Sequence, residues 1–95
     1  MKDINDEPVH IPIDGILDLH LFSPKEVPSV VKEYIHACIC QGILEIRIIH
    51  GKGKGILRET VHSILNKHSA VADFKLASDA SGWGATLVML KPTNQ

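Results

Sequence analysis

Leu44-Glu45-Ile46-Arg47-Ile48-Ile49-His50 is a short run rich in β-branched residues, with Gly42 before it and Gly51 directly after it. A run of this length and composition, bounded by glycines, predicts a central strand rather than a helix. Each side of it carries a helical pattern. Upstream, Val27, Val30, Val31, Tyr34, Ile35 and Cys38 recur at spacings of three and four, making a stripe broad enough to pack on a sheet. Downstream, Leu57, Val61, Ile64 and Leu65 form a second apolar face that ends before the polar Asn66-Lys67-His68-Ser69. A buried strand between two amphipathic helices restricts the chain to an α/β architecture with crossover connections.

The remaining elements follow from local signals. In Ile16-Leu17-Asp18-Leu19-His20, Leu17 and Leu19 share one face of a first strand while Asp18 and His20 share the other. Ser23-Pro24-Lys25-Glu26 then supplies an N-cap, a proline at the first helical position and an acid three residues after the cap. Pro28 is the discord, because it forfeits a backbone bond in the first turn and shifts the helical start towards itself. Residues 71–77 alternate, Ala85–Leu90 is a last apolar strand, and Ser78–Gly84 is the turn between them. The predicted order is β-α-β-α-β-β: one small α/β domain, a four-stranded mixed sheet with two helices. Its first three strands run mostly parallel and its last two form an antiparallel hairpin.

With 95 residues, 44% of them hydrophobic, the chain suffices for one compact domain, which excludes two-domain enzymes. Residues 1–12 read as a loosely held acidic lead-in, 13–92 as the domain and 93–95 as a tail. Cys38 and Cys40 are two apart on a predicted helix and face different sides, so neither a bridge nor a metal knuckle is favoured. A reducing cytoplasm is the expected compartment. No apolar stretch approaches the ~20 residues that span a bilayer, and the acidic amino terminus fits neither a secretory signal nor a transit peptide. Nothing specifies an oligomer, so a monomer is the starting assumption. The formal net charge of −1 conceals an asymmetry: residues 1–20 sum to −4 and residues 43–70 to +3. Any anion-binding surface is therefore local, which permits a focused phosphate site but not coating of nucleic acid by bulk charge.

Two unusual segments lie at the carboxyl ends of the predicted parallel strands, where sites form in such sheets. Gly51-Lys52-Gly53-Lys54-Gly55 alternates residues without Cβ, which can turn backbone N–H groups towards a shared anion, with two lysines that add charge. The helix that follows adds its unpaired N–H groups and positive end, with Arg58 one turn in. The loop matches neither a Walker loop nor Gly-x-Gly-x-x-Gly, so ATP hydrolysis has no support. Its plain alternative is a tight strand-to-helix turn with solvated lysines. His20, with Asp18 two residues earlier, is a candidate acid-base group whose tautomer the carboxylate could fix, or else a hydrogen-bonded structural histidine. His50 ends the second strand and His62 lies one turn beyond Arg58, both also compatible with packing. These three histidines lack the tight ligand pair or cysteine of a zinc site, and the edge offers too few carboxylates for two metals, so metal-free chemistry is favoured. Trp83 could stack on a base or pack over the sheet end.

At these motifs the sequence resembles the Smr domain, the small MutS-related module found at the carboxyl end of some MutS-like proteins and as stand-alone proteins. Leu17-Asp18-Leu19-His20 is similar to the family's L-D-L-H-G signature, with Leu21 in place of the final glycine. His50-Gly51-Lys52-Gly53-Lys54-Gly55 with Leu57-Arg58 is similar to its H-G-K-G-x-G-x-L-R loop, and Gly82-Trp83-Gly84-Ala85-Thr86 to its G-x-G-A-T turn. The resemblance implies nucleic-acid binding and endonuclease cleavage of DNA or RNA, with Asp18, His20, His50, Gly51, Lys52, Gly53 and Arg58 at the active edge.

The expectation is thus a small endonuclease in which Asp18 and His20 are catalytic. His50, Gly51, Lys52, Gly53, Lys54, Gly55, Arg58, His62 and Trp83 would bind phosphate or nucleic acid. RNA cleavage would need no cofactor, because His20 could deprotonate a 2′-hydroxyl for attack on the adjacent phosphorus. DNA has no such internal nucleophile and would require an activated water and a divalent ion. A non-catalytic nucleic-acid-binding module is the alternative, suggested by Leu21. A small-molecule phosphate binder is disfavoured because no base- or sugar-reading residue stands out.

Overall fold

The computed structural model describes residues 13–51, 55–77 and 84–92. Among the described residues the chain forms strands β1 (Ile16–Asp18), β2 (Glu45–Ile49), β3 (Val71–Leu76) and β4 (Ala85–Leu90) and helices α1 (Val27–Cys40) and α2 (Ile56–Lys67). The sheet order is β1-β2-β4-β3. Strands β1 and β2 are parallel, and β4 is antiparallel to both β2 and β3. Directionally the first three strands therefore agree, as expected, and the final hairpin inserts β4 between β2 and β3.

One face of the sheet is the core. Leu17, Ile46, Ile48, Val88 and Leu90 point inward against Val27, Val31, Ile35 and Cys38 of α1 and Val61 and Leu65 of α2, all buried. Burying side chains of this size contributes about 1.5–3 kcal/mol each relative to exposure, so this single layer of contacts sets the fold. Two local departures from regularity matter for the site. The predicted first strand stops at Asp18, whose carboxylate accepts the backbone N–H of His20 at 2.9 Å and turns Leu19–Leu21 into a 3₁₀ turn. The segment after Ser23 also opens with a 3₁₀ turn, Pro24–Glu26, in which Glu26 accepts the backbone N–H of Ser23 at 3.0 Å. The α-helix starts only at Val27, next to Pro28, where a missing N–H costs nothing in the first turn.

Tyr34 ties the first strand to α1. Its hydroxyl accepts the buried N–H of Gly15 at 3.0 Å and lies 3.2 Å from the carbonyl of Ile16. Gly15 itself has φ +95°, and a Cβ there would stand 3.0 Å from the carbonyl oxygen of Glu45. Among the described residues no helix is long and apolar enough to cross a membrane.

Candidate nucleic-acid site at the sheet edge

The parallel pairing of β1 and β2 brings their carboxyl ends side by side, so the Asp18–His20 turn and the start of the glycine loop share one edge. Their contact is close: a Cβ added to Gly51 would lie 3.2 Å from His20 Nε2. Gly51 has φ +87°, a left-handed conformation that glycine takes without penalty. Glycine is therefore favoured here by the backbone, and a Cβ would also crowd the imidazole beside it.

His20 is oriented by its own turn. Its Nδ1 donates to Asp18 Oδ1 at 2.8 Å, the same oxygen that accepts the His20 backbone N–H at 2.9 Å. The backbone bond, assisted by the ring, holds the Asp18 carboxyl below the usual carboxylate range. With Nδ1–H engaged, the lone pair of the neutral imidazole sits on Nε2, facing Gly51. The side chain is 64% exposed, so that nitrogen is open to a ligand. Leu21 ends the turn without a positive φ and is exposed, so leucine is accommodated there without backbone strain.

The loop is anchored from below. Both His50 and Gly51 donate their backbone N–H groups to the carbonyl of Gly84, each at 2.9 Å. His50 is buried, with Nδ1 3.1 Å from the Gly51 carbonyl and Nε2 2.8 Å from Thr86 Oγ1. His62 Nε2 lies 2.8 Å from the same hydroxyl, and its ring packs on Phe74 with centroids 4.9 Å apart. Burial pushes the His50 imidazole below its ordinary value, against the opposing bond to Gly51 and with the charge of Arg58 adding to the shift. Burial does the same to His62, helped by His50 and Arg58. At the far side of the loop, Gly55 caps α2 in the left-handed region with φ +87° and contributes no side-chain bond. The N–H of Glu59 bonds to the Gly55 carbonyl at 2.9 Å, closing the first turn of α2. Arg58 folds back over Gly55, where a Cβ would meet its Nη2 at 2.9 Å.

Asp18, His20 and Gly51 thus share one edge, and Arg58, folded over Gly55 at the start of α2, is near enough to His50 and His62 for its charge to act on both. His50 and His62 lie beneath it, bonded within the protein. Lys52, Gly53, Lys54 and Trp83 lie outside the described residues. Thr86 and Gly84 were not singled out as site residues from the sequence. The signal for Thr86 was present, since a hydroxyl on the inward face of an apolar strand, in line with Val88 and Leu90, must find a buried partner. Among the described residues no three His, Cys, Asp or Glu side chains converge as a set that could hold a metal ion.

The sequence profile of the Smr domain matches residues 17–91. The chain is 34% identical over 80 residues to Endonuclease MutS2 of Clostridium botulinum (strain ATCC 19397 / Type A), a match covering 83% of this chain and 10% of that protein. It is 33% identical over 76 residues to Endonuclease MutS2 of Clostridium novyi (strain NT), covering 79% of this chain and again 10% of the relative. The match thus takes in about a tenth of the length of these relatives. Among solved structures, the Smr domain of Thermus thermophilus MutS2 superposes with a TM-score of 0.76 at 29% identity, covering 81% of this chain and 98% of that one. YdaL, a stand-alone small MutS-related protein from Escherichia coli, superposes with a TM-score of 0.74 at 26% identity, covering 84% and 66% respectively. With the fold, the paired strand ends and the profile in agreement over most of its length, this chain belongs to the Smr domain family.

Proposed function

We propose that the chain is a small endonuclease that cleaves RNA at the edge formed by His20, Gly51 and the amino end of α2. The observation that carries this reading is His20, whose Nδ1 is held by Asp18 while Nε2 stands open beside Gly51. A phosphodiester seated against Arg58 and the start of α2, where Gly55 supplies no side-chain cap, would have its charge met by helix N–H groups and a guanidinium. Lys52 and Lys54 would add to that attraction. His20 Nε2 would take the proton of the adjacent 2′-hydroxyl, the 2′-oxygen would bond to phosphorus, and the bond from phosphorus to the 5′-oxygen would break. The departing oxygen would take a proton from water, leaving a 2′,3′-cyclic phosphate. Asp18 would keep His20 in the tautomer that leaves Nε2 basic, as carboxylates do for histidine bases.

In this reading His50 and His62 hold the loop from beneath, since both ring nitrogens of His50 and Nε2 of His62 are bonded inside the protein. The endonuclease names of the MutS2 relatives support cleavage as the activity. The test is labelled RNA incubated with the purified protein in EDTA, with product ends mapped. Wild type should yield 2′,3′-cyclic ends and His20→Ala none, and intact cleavage by His20→Ala overturns the reading. DNA cleavage that vanishes in EDTA would point instead to an activated water on a divalent ion.

Leu21, which stands 61% exposed beside His20, supports a second reading as a non-catalytic binding module. On that reading no substrate is cut under any condition, while Lys52→Ala and Lys54→Ala each lower the salt dependence of binding by about one phosphate contact.

A further inference from the structure

Beneath the loop, three groups that the chemistry above does not use form one continuous chain of hydrogen bonds. It runs from the Gly51 carbonyl to His50 Nδ1, from His50 Nε2 to Thr86 Oγ1, and from Thr86 Oγ1 to His62 Nε2, at 3.1, 2.8 and 2.8 Å. Thr86 is wholly buried on the inward face of β4.

The direction of each bond can be worked out. A carbonyl only accepts, so His50 Nδ1 carries a hydrogen. Neutral His50 then has its lone pair on Nε2, and Thr86 must donate to it. A hydroxyl has one hydrogen, so towards His62 the Thr86 oxygen can only accept, and His62 must carry its hydrogen on Nε2. The two histidines are therefore fixed in opposite tautomers by one threonine.

We propose that Thr86 is a positioning residue of the site: by donating to His50 Nε2 and accepting from His62, it locks His50 as the Nδ1–H tautomer that holds the carbonyl of Gly51, the residue beside His20 Nε2. Valine has the same shape but no hydroxyl. With valine at 86, His50 would lose the donor that fixes its tautomer, the alternative Nε2–H form would leave the Gly51 carbonyl without its bond, and Gly51, still tied through its N–H to Gly84, would lose the restraint on its carbonyl end beside His20. Phe74 completes the arrangement by packing on His62 at 4.9 Å and limiting the ring orientations open to it.

The catalytic part of this proposal rests on the endonuclease reading; the tautomer part does not. The test therefore has two arms. Long-range ¹H–¹⁵N correlation NMR of the imidazoles at pH 7.5 should show His50 protonated at Nδ1 and His62 at Nε2, and His50 protonated at Nε2 overturns the proposal in the native chain, with no variant needed. Thr86→Val should then shift the Gly51 carbonyl ¹³C resonance and lower kcat for RNA cleavage by at least tenfold, with KM changed less. Thr86→Ser, which keeps the hydroxyl, should restore kcat to within a few-fold and keep the native tautomers. A Thr86→Val protein with native tautomers or undiminished kcat sinks the proposal. If Thr86→Val does not fold, failure of Thr86→Ser to preserve the tautomers does so instead. If wild type cuts no substrate, the endonuclease reading fails while the NMR arm still decides the tautomers.

Discussion

Gly51→Ala separates the contact at the site from the backbone around it, because a matched control exists in the same chain. Gly51 and Gly42 both lie in the left-handed region, at φ +87° and +78°. An alanine Cβ would meet nothing within 4 Å at Gly42, but would stand 3.2 Å from His20 Nε2 at Gly51. Forcing an L-residue into this region costs roughly 1–2 kcal/mol at either position. For a domain of this size that corresponds to a fall in Tm of about 4–8 °C per kcal/mol. His20 is exposed and can swing aside, so the extra contact adds little to the loss of stability. It acts on geometry instead, and a displacement approaching 1 Å at a reacting group is worth about 100-fold in rate. Thermal unfolding followed by circular dichroism should show similar losses for Gly42→Ala and Gly51→Ala. RNA cleavage, measured well below both Tm values, should fall at least tenfold in Gly51→Ala and stay within twofold of wild type in Gly42→Ala. Equal cleavage by the two variants would refute the reasoning.

Other consequences are equally direct. Tyr34→Phe removes the acceptor of the buried Gly15 N–H and should cost about 1–3 kcal/mol in urea unfolding. His50 and His62 are held below their ordinary value of 6.5 in the folded chain, whereas the unfolded chain binds protons at that value. The unfolded state therefore takes up more protons as pH falls through 6.5, so Tm should drop between pH 7 and pH 5, and a flat profile would contradict their burial as neutral rings. Asp18 has its folded value lowered, so its contribution is present above the ordinary carboxylate value of 3.8 and is lost only as pH falls below it. Ile48→Ala removes a fully buried side chain from the central strand and should cost about 2–5 kcal/mol by the same urea assay.

Much of this arrangement was legible in the residues themselves. Period-two and period-3.6 patterns gave the order of elements, and Ala85–Leu90 matches its predicted bounds. The slip of the first helix towards Pro28 was visible in the missing N–H of proline. What pattern alone did not supply was the sheet order, because inserting β4 between β2 and β3 depends on which inward faces pack best and on no local signal. Nor did it show that the first strand stops at Asp18. That carboxylate competes for the His20 N–H and so replaces strand with turn, a choice that alternation cannot report. The meeting of the two strand ends followed from topology, whereas the roles of His50 and His62 required their partners. Sequence left each open between a phosphate contact and packing, and a threonine 36 positions from His50 and 24 from His62 bonds to both.

The central claim is that His20 and the two ends of the glycine loop receive one phosphate between them. A 2′-O-methyl RNA oligonucleotide, which cannot be cleaved by the proposed route, should be titrated into ¹⁵N-labelled protein and followed by amide and imidazole NMR. The amides of Gly51, Gly55 and Arg58 and the His20 ring nitrogens should shift together with a single saturation curve. Shifts confined to other surfaces, with the His20 ring unmoved at saturation, would contradict the account.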